Sequence, residues 1–139
     1  MPTFNATVSQ LDKDHYLLIR KSVDINPESG CTHIGDITKT NETIADSSYD
    51  IVVCTEVLEH TLQPFDAAKE IYRILKPGGV AVITTPFNFR IHGPLPDCWR
   101  FSEYGLQALL KDFRAVEISE TATPDRDLMP IHYQCLAKK

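Results

Sequence analysis

Residues 50–60 read Asp-Ile-Val-Val-Cys-Thr-Glu-Val-Leu-Glu-His, an apolar strand pattern that runs directly into a group of ionisable side chains. The apolar residues from Ile51 to Cys54 do not alternate with polar ones, which is typical of a parallel strand covered on both faces. In an open parallel sheet, ligands bind outside the carboxyl ends of the strands. This stretch therefore predicts a layered α/β fold and the edge at which its chemistry takes place.

A helix and a second buried strand follow this stretch. Pro64 suits the first helical position, and apolar residues recur on one helical face as far as Lys76, whose charge complements the helix dipole there. Pro77-Gly78-Gly79 ends the helix in a tight turn, and Val80–Thr85 repeats the buried-strand pattern. This order predicts parallel pairing through a right-handed crossover.

Shorter predicted elements flank this unit. They are strands within 17–25 and 32–37, a polar stretch at 38–48 with room for one weak helical turn, a long loop at 87–101, a helix capped by Ser102, and strands at 115–121 and 131–137. With no helix between them, the last two strands are expected to form an antiparallel edge pair. The predicted fold class is α/β, with a doubly wound, mostly parallel sheet in a single domain spanning residues 1–139.

Composition excludes several classes of partner. The chain has 139 residues, a net charge of −5 and no basic run, so a nucleic-acid partner is not expected. Its apolar runs are too short to span a membrane, and the polar N-terminus does not resemble a signal peptide. The four cysteines are scattered, which favours free thiols in a cytoplasmic protein over disulfides or zinc, and no metal site is predicted.

Four segments in this order carry a family resemblance: Val23-Asp24-Ile25-Asn26-Pro27, Gly35-Asp36-Ile37-Thr38, residues 49–60, and Arg73-Ile74-Leu75-Lys76-Pro77-Gly78-Gly79. Together they resemble the ordered motifs of class I S-adenosylmethionine-dependent methyltransferases. The resemblance extends from about residue 20 to the end, and it implies a Rossmann-like methyltransferase fold with S-adenosylmethionine as cofactor. Residues 85–92 and 97–101 are similar to a branch of the family that acts on small molecules, which implies a small-molecule substrate.

The resemblance implies cofactor contacts at the ends of the first two predicted strands. Asp24, followed by Ile25, matches the acid that accepts hydrogen bonds from both ribose hydroxyls, and a carboxylate can accept two such donors. Asp36 and Ile37 match the residues that contact and pack the adenine. For both acids the alternative interpretation is an aspartate that caps its own turn.

The resemblance also implies that Cys54, Thr55 and Glu56 line the cleft after the next strand. His60 and His92 are the candidate catalytic residues. A histidine can accept a substrate proton near neutral pH, but His60 could instead tie its loop to a neighbouring element. Methyl transfer often needs only alignment of the reacting groups, so a base is not obligatory.

The loop that carries His92 is long enough to suggest a function, since loops above roughly 12–15 residues are uncommon otherwise. It would cover the acceptor. Trp99 is predicted either to contact the acceptor or to anchor the loop, with the anchor favoured. Arg100 could bind an anionic acceptor or pair with Asp97.

The N-terminal region departs from the family pattern. A strand and a glycine-rich turn normally precede the ribose acid by about 20 residues, but the first glycine here is Gly30, so the fold is expected to be N-terminally truncated. Thr3–Val8 could supply a degenerate strand followed by a helix at Ser9–Arg20, another subunit could close the sheet in a homodimer, or the chain could fold without binding the cofactor. Because a gap would expose two strand edges, a substitute strand from Pro2–Val8 or dimer contacts are favoured.

Two main functional hypotheses follow. The first is an S-adenosylmethionine-dependent methyltransferase that acts on a small molecule. The second is a non-catalytic, truncated protein of the same fold that acts as a binding or dimerising module. A nucleotide-binding α/β protein is a weaker third hypothesis, because neither Glu59-His60 nor Lys76-Pro77-Gly78-Gly79 serves phosphate binding.

Overall fold

The computed structural model describes residues 6–11 and 18–139 of the chain. The strands are β1 (Ala6–Leu11), β2 (Leu18–Asp24), β3 (His33–Ile34), β4 (Tyr49–Thr55), β5 (Leu75–Pro86), β6 (Ala115–Thr121) and β7 (His132–Lys138). The helices are α1 (Pro64–Ile74) and α2 (Glu103–Leu109), with a 3₁₀ turn at Leu58–His60. The seven strands form one sheet in the order β3-β2-β1-β4-β5-β7-β6.

Five of the seven strands in the described residues point in one direction, which confirms the α/β class, but only two of the six neighbouring strand pairs are parallel. Parallel pairing joins β2 to β3 and β4 to β5. The two exceptions are β1 and β7, each antiparallel to both of its neighbours. The predicted antiparallel pair at the end of the chain is present, but β7 lies between β5 and β6, so β6 alone forms that edge.

The central strand β1 fills the position between β2 and β4, but in reverse. Its residue Ala6 pairs with Val23 of β2, and Thr7 pairs with Val53 of β4, both in antiparallel register. A substitute strand was predicted at Pro2–Val8, and a strand at Ala6–Leu11 fills the gap within this chain; residues 2–5 of the prediction lie outside the described residues. The prediction of a helix over Ser9–Arg20 is wrong at both ends, since residues 9–11 belong to β1 and residues 18–20 to β2; residues 12–17 lie outside the described part of the chain. Two open strand edges offer β1 a ladder of hydrogen bonds on both sides, whereas the weak apolar face of a helix offered little.

The core lies on one face of the sheet. Val52 of β4 and Ile83 of β5 are completely buried, as are Ile71 of α1 and Leu106 of α2. The alternate strand residues on the opposite face are only half-buried, and Leu136 of β7 is 48% exposed. The continuous apolar pattern of β4 predicted burial on both faces, but in the described part of the chain it is complete on one face only.

The predicted turn at residues 76–79 is a bulge in the β4–β5 ladder. The pairing register shifts between Tyr49 and Ile51, so that residues 76–79 stand opposite Asp50 alone. Gly78 has a φ of 81°, a conformation that side-chain-bearing residues rarely adopt. A side chain is disfavoured at Gly79 for a different reason, since a Cβ there would lie 2.9 Å from a backbone carbonyl oxygen.

The carboxyl end of α1 is capped by a residue far away in sequence. Lys139 Nζ donates hydrogen bonds of 2.8 Å to the carbonyl oxygens of Tyr72 and Leu75. Lys76, which the sequence placed in this role, instead pairs with Asp50 at 2.9 Å because the helix ends at Ile74. None of the helices in the described residues has the length and apolar character of a membrane span.

Candidate functional site

The carboxyl ends of β2 and β3 and the segment after β4 enclose a cavity of about 460 Å³. This volume lies within the range of small-molecule sites, which is roughly 300–1,000 Å³. Apolar side chains line much of the cavity, and Asp24, Asp36, His60, Thr61 and Gln63 supply polar groups. The cavity therefore lies at the edge where the parallel-sheet rule predicted a ligand site.

Asp24 closes β2 and is 2% exposed. Its Oδ1 accepts a hydrogen bond of 2.7 Å from the backbone N–H of Asn26, so this oxygen caps the turn after the strand. The second oxygen, Oδ2, is buried and has no hydrogen-bond partner among the described residues. Leaving a buried acceptor unsatisfied costs about 1–3 kcal/mol. A hydroxyl donor in the cavity would remove that cost, so one carboxylate serves the fold and leaves an oxygen for a ligand.

Asp36 mainly stabilises its own turn. Its Oδ1 accepts hydrogen bonds from the backbone N–H and the hydroxyl of Thr38, at 2.9 and 2.7 Å, and its Oδ2 lies 3.7 Å from Lys39 Nζ. Ile37 beside it is half-buried, and Ile25 across the cavity is exposed. The structure therefore brings Asp24, Ile25, Asp36 and Ile37 together around one cavity.

The other three predicted cofactor contacts do not line this cavity. Cys54 is completely buried in the core, where burial raises its pKa to about 12, and Thr55 is exposed. Glu56 has a φ of 54°, which turns its side chain toward β5 and β7. There it accepts a hydrogen bond of 2.9 Å from Thr84 and lies 3.3 Å from His132.

His60 forms part of the cavity wall and is anchored to the long loop. Its Nδ1 lies 2.9 Å from the carbonyl oxygen of Pro96, and because a carbonyl can only accept, Nδ1 is the nitrogen that carries the proton in this contact. The ring stacks on that of His92 with 4.8 Å between centroids. The loop-tying interpretation of His60 is thus present in the structure, while its ring also reaches the cavity.

An ion pair between Asp97 and Arg100 links residues within the long loop itself. Arg100 donates to both oxygens of Asp97 at 2.6 and 2.8 Å, and Asp97 also accepts from Nδ1 of His92 at 3.0 Å. The Arg100 guanidinium and these hydrogen bonds hold the pKa of Asp97 well below its usual range. Trp99, 40% exposed, anchors the loop through a 2.8 Å hydrogen bond to the carbonyl of Thr61.

Glu59 was not among the candidate site residues predicted from the sequence, but its environment is unusual. It is completely buried, and in the part of the chain that the structure describes neither carboxylate oxygen has a hydrogen-bond partner. Burial, with the nearby charges of Glu56 and Asp97, raises its pKa to about 8. Its place in the Glu59-His60 pair was the available signal, but the loop that buries it lies almost 40 residues away, as shown by the 2.7 Å hydrogen bond from Cys98 N to Glu59 O.

Comparison with known proteins identifies relatives of the chain. A family described as methyltransferase domain matches residues 2–83. An uncharacterised methyltransferase of Mycolicibacterium gilvum is 36% identical over 73 residues, which cover 52% of this chain and 26% of the relative. The equisetin synthetase of Fusarium heterosporum is 28% identical over 117 residues, which cover 72% of this chain and 3% of the synthetase.

The fold is also similar to that of solved structures. A crystal structure described as a SAM-dependent methyltransferase from Archaeoglobus fulgidus matches with a TM-score of 0.61 and 20% identity, over 84% of this chain and 74% of that one. At this identity the likeness concerns the fold. The chain spans only a small part of the length of the two sequence relatives described above.

Proposed function

The chain belongs to the methyltransferase domain family, whose cofactor is S-adenosylmethionine, and we propose that it transfers a methyl group from this cofactor to a small-molecule acceptor. When bound, the cofactor supplies a methyl group activated by a sulfonium centre. The observation that carries the proposal is a buried oxygen of Asp24 that has no hydrogen-bond partner among residues 6–11 and 18–139. It lies at the cavity formed by β2, β3 and the segment after β4.

The residues of the cavity fit the adenosine part of the cofactor. Asp24 Oδ2 would accept a hydrogen bond from a ribose hydroxyl, and Ile37 would pack against the adenine ring. Asp36 uses Oδ1 for its own turn, so its Oδ2, which lies 3.7 Å from Lys39 Nζ, would be the oxygen that accepts from the adenine amino group. The adenosine side therefore has both a polar contact and an apolar wall.

The methionine part of the cofactor has a different environment. In the family a glycine-rich turn follows the central strand, whereas here the amino end of β1 reaches this edge, next to Val23 and Val53. No glycine precedes Gly30 in the sequence. We therefore expect weaker cofactor binding than in a family member with the turn, because fewer backbone N–H groups face the methionine carboxylate.

The acceptor is proposed to lie under the loop at 87–101. Pro96 of this loop and His60 both line the cavity, so the loop would exclude water and align the acceptor with the methyl group. His60 would make the direct contact, and His92 would support it through the stacked ring. The cavity volume and the net charge of −5 favour a small molecule over a nucleic acid.

Calorimetric titration with S-adenosylmethionine and S-adenosylhomocysteine tests the proposal. Asp24→Asn keeps an oxygen for the Asn26 turn but removes the negative charge, so we expect at least about tenfold weaker binding, as for loss of a charge-assisted hydrogen bond. Glu28→Gln, at an exposed position outside the cavity, is the matched control. Absence of binding at millimolar cofactor, or unchanged binding by Asp24→Asn, would contradict the proposal.

Acceptor class needs a separate measurement. Incubation with cofactor carrying a radioactive methyl group, followed by separation of the products by size, should place the label in the small-molecule fraction. Label recovered only in protein or nucleic acid would exclude the small-molecule acceptor.

A second candidate function, a non-catalytic binding or dimerising module, is supported by the reversed direction of β1. It predicts a folded protein that binds no cofactor at millimolar concentration and sediments as a dimer. The calorimetric titration above, with sedimentation of the same sample, separates the two functions.

A further inference from the structure

Glu59 and His60, which follow β4, and His92 of the long loop have the composition of a metal site. Nε2 of His60 lies 3.6 Å from Oε1 of Glu59, and Nε2 of His92 lies 3.8 Å from the same oxygen. One ligand atom from each of the three residues can be chosen so that all lie within 4.8 Å of one another. Two imidazole nitrogens and one carboxylate oxygen thus lie close to one another.

The buried carboxylate gives an independent reason to place a cation there. Glu59 is 0% exposed, and within the described residues neither of its oxygens accepts a hydrogen bond. A buried carboxylate without partners is costly, and such groups are normally paired or bound to a metal.

Both histidines are oriented by hydrogen bonds on the far side of their rings. Nδ1 of His60 contacts the carbonyl oxygen of Pro96 at 2.9 Å, and Nδ1 of His92 contacts Oδ2 of Asp97 at 3.0 Å. Such outer contacts are typical of metal-bound histidines, because they fix the tautomer and direct Nε2 at the ion. Arg100 holds Asp97 in place with two further hydrogen bonds.

From this geometry we propose that Glu59, His60 and His92 bind one divalent transition-metal ion, with Zn²⁺ as the best match. A set of two histidines and one glutamate is found in zinc sites that keep a fourth position open. Tetrahedral coordination needs ligand atoms about 3.4 Å apart for bonds of roughly 2.1 Å. The two distances to Glu59 therefore need to shorten by only a few tenths of an ångström. The two imidazole rings, which stack with 27° between their planes, would turn toward the ion when it binds.

The chemistry of the ligands distinguishes among metals. Mg²⁺ and Ca²⁺ prefer all-oxygen environments, whereas imidazole nitrogens favour Zn²⁺ and its neighbours in the first transition row. His60 also lines the cavity, so the open position of the ion would face a ligand there. An acceptor that offers an oxygen atom is the class of molecule that this position would hold. Metal binding itself does not depend on the proposed methyl transfer.

The test uses the whole chain without a histidine tag, freed of metal by a chelator and without added cofactor. Titration with Zn²⁺ against a chromophoric competitor should give one equivalent per chain, and Co²⁺ should give the visible absorption of a four- or five-coordinate nitrogen–oxygen site. Because binding is measured without cofactor, failure here is distinguishable from failure of the methyltransferase proposal.

Substitutions assign the ion to these residues. Glu59→Gln and His92→Ala should each weaken Zn²⁺ binding about 100-fold or more, since even loss of an outer contact costs 10–100-fold. His132→Ala, a half-buried histidine outside the cluster, is the matched control and should bind like the original chain. Circular dichroism of each variant establishes that it is folded, and Glu59→Gln, the closest in shape, carries the test if His92→Ala is not.

Three results would overturn the proposal. One is less than a tenth of an equivalent of Zn²⁺ bound. Another is equal affinity in Glu59→Gln and the original chain. The third is a thiolate-to-cobalt charge-transfer band, which would place the ion on a cysteine such as Cys31 or Cys98.

Discussion

The two faces of the sheet are built from similar residues but have different surroundings. Val52 and Val53 are neighbours in β4 and have the same side chain, yet Val52 is completely buried while Val53 is half-buried. The same contrast occurs in β5, where Ile83 is buried and Val82 is not. Because successive strand residues point to opposite faces, only position distinguishes the members of each pair. Strand composition therefore does not report which face carries the core.

The largest expected effect on stability comes from shortening a side chain on the covered face of β4. Val52→Ala should lower the free energy of unfolding by about 2–3 kcal/mol, because it leaves a cavity under α1. Val53→Ala should lower it by about 1 kcal/mol, because that side chain is already part-exposed. Urea unfolding of both variants measures the difference, and equal losses would show that the second face is covered as well as the first.

The second prediction concerns the rim of the covered face. Arg73 on α1 donates to Glu70 at 2.6 and 2.7 Å, to Asp46 at 2.6 Å and to the carbonyl of Ile44 at 2.8 Å. Arg73→Met should cost about 2 kcal/mol of unfolding free energy, because it leaves the Glu70 carboxylate buried without its cation.

Combining Arg73→Met with Glu70→Gln provides the control. The double variant should be more stable than Arg73→Met alone, as a double-mutant cycle by urea unfolding would show. If the two losses simply add, the pair does not act as a unit.

The third prediction concerns how fast buried and more exposed cysteines react with a thiol reagent. Burial raises the pKa of Cys54 to about 12 and that of Cys135 to about 11, whereas Cys31 is half-buried and Cys98 is exposed. A thiol-specific reagent at pH 8 should modify Cys31 and Cys98 rapidly and the other two only after unfolding. Rapid modification of all four would show that the covered face opens readily.

The buried thiols of Cys54 and Cys135 also make the free energy of unfolding depend on pH. Their pKa values are higher in the folded chain than the ordinary value of 9.0, so the unfolded chain ionises first. The folded chain then holds more protons than the unfolded chain between about pH 9 and pH 11, and the free energy of unfolding should fall as pH rises through this window. Cys135→Ser, compared over the same range, should show a shallower fall.

The smallest effect is expected on the open face. Leu136 is 48% exposed in β7, so Leu136→Lys should change the free energy of unfolding by less than about 0.5 kcal/mol. A loss above about 1 kcal/mol in a monomeric sample would contradict the open-face assignment.

Much of the fold could be predicted from local pattern. β4 and α1 were placed to within two residues, because Pro64 marks the helix start and the continuous apolar run of the strand differs from the recurring apolar face of the helix. β5 begins five residues earlier than predicted, at Leu75. Ser102 caps α2 as predicted, accepting a hydrogen bond of 3.3 Å from Gly105 N. The direction of β1 could not be predicted, since strand residues look the same in either direction and only the pairing partners decide.

The parts of the candidate site that depend on strand order could be predicted, and the parts that depend on distant packing could not. Asp24 and Asp36 meet because parallel strands end at one edge, which sequence order already implies. Glu56 lies away from the cavity because its own backbone adopts a left-handed conformation, which no local sequence pattern predicted. The importance of Glu59 depends on a loop distant in sequence, so it emerged only from the three-dimensional packing.

The reversed direction of β1 also decides how this chain can be connected to other proteins. Ala6 lies beside Val23 at the cavity edge, while Lys138 lies beside Val80 at the opposite edge of the sheet. A protein fused ahead of β1 would therefore be tethered next to the cavity, and one fused behind β7 would be tethered away from it. A reporter or purification partner thus belongs behind β7, and a carrier meant to deliver a bound molecule to the cavity belongs ahead of β1.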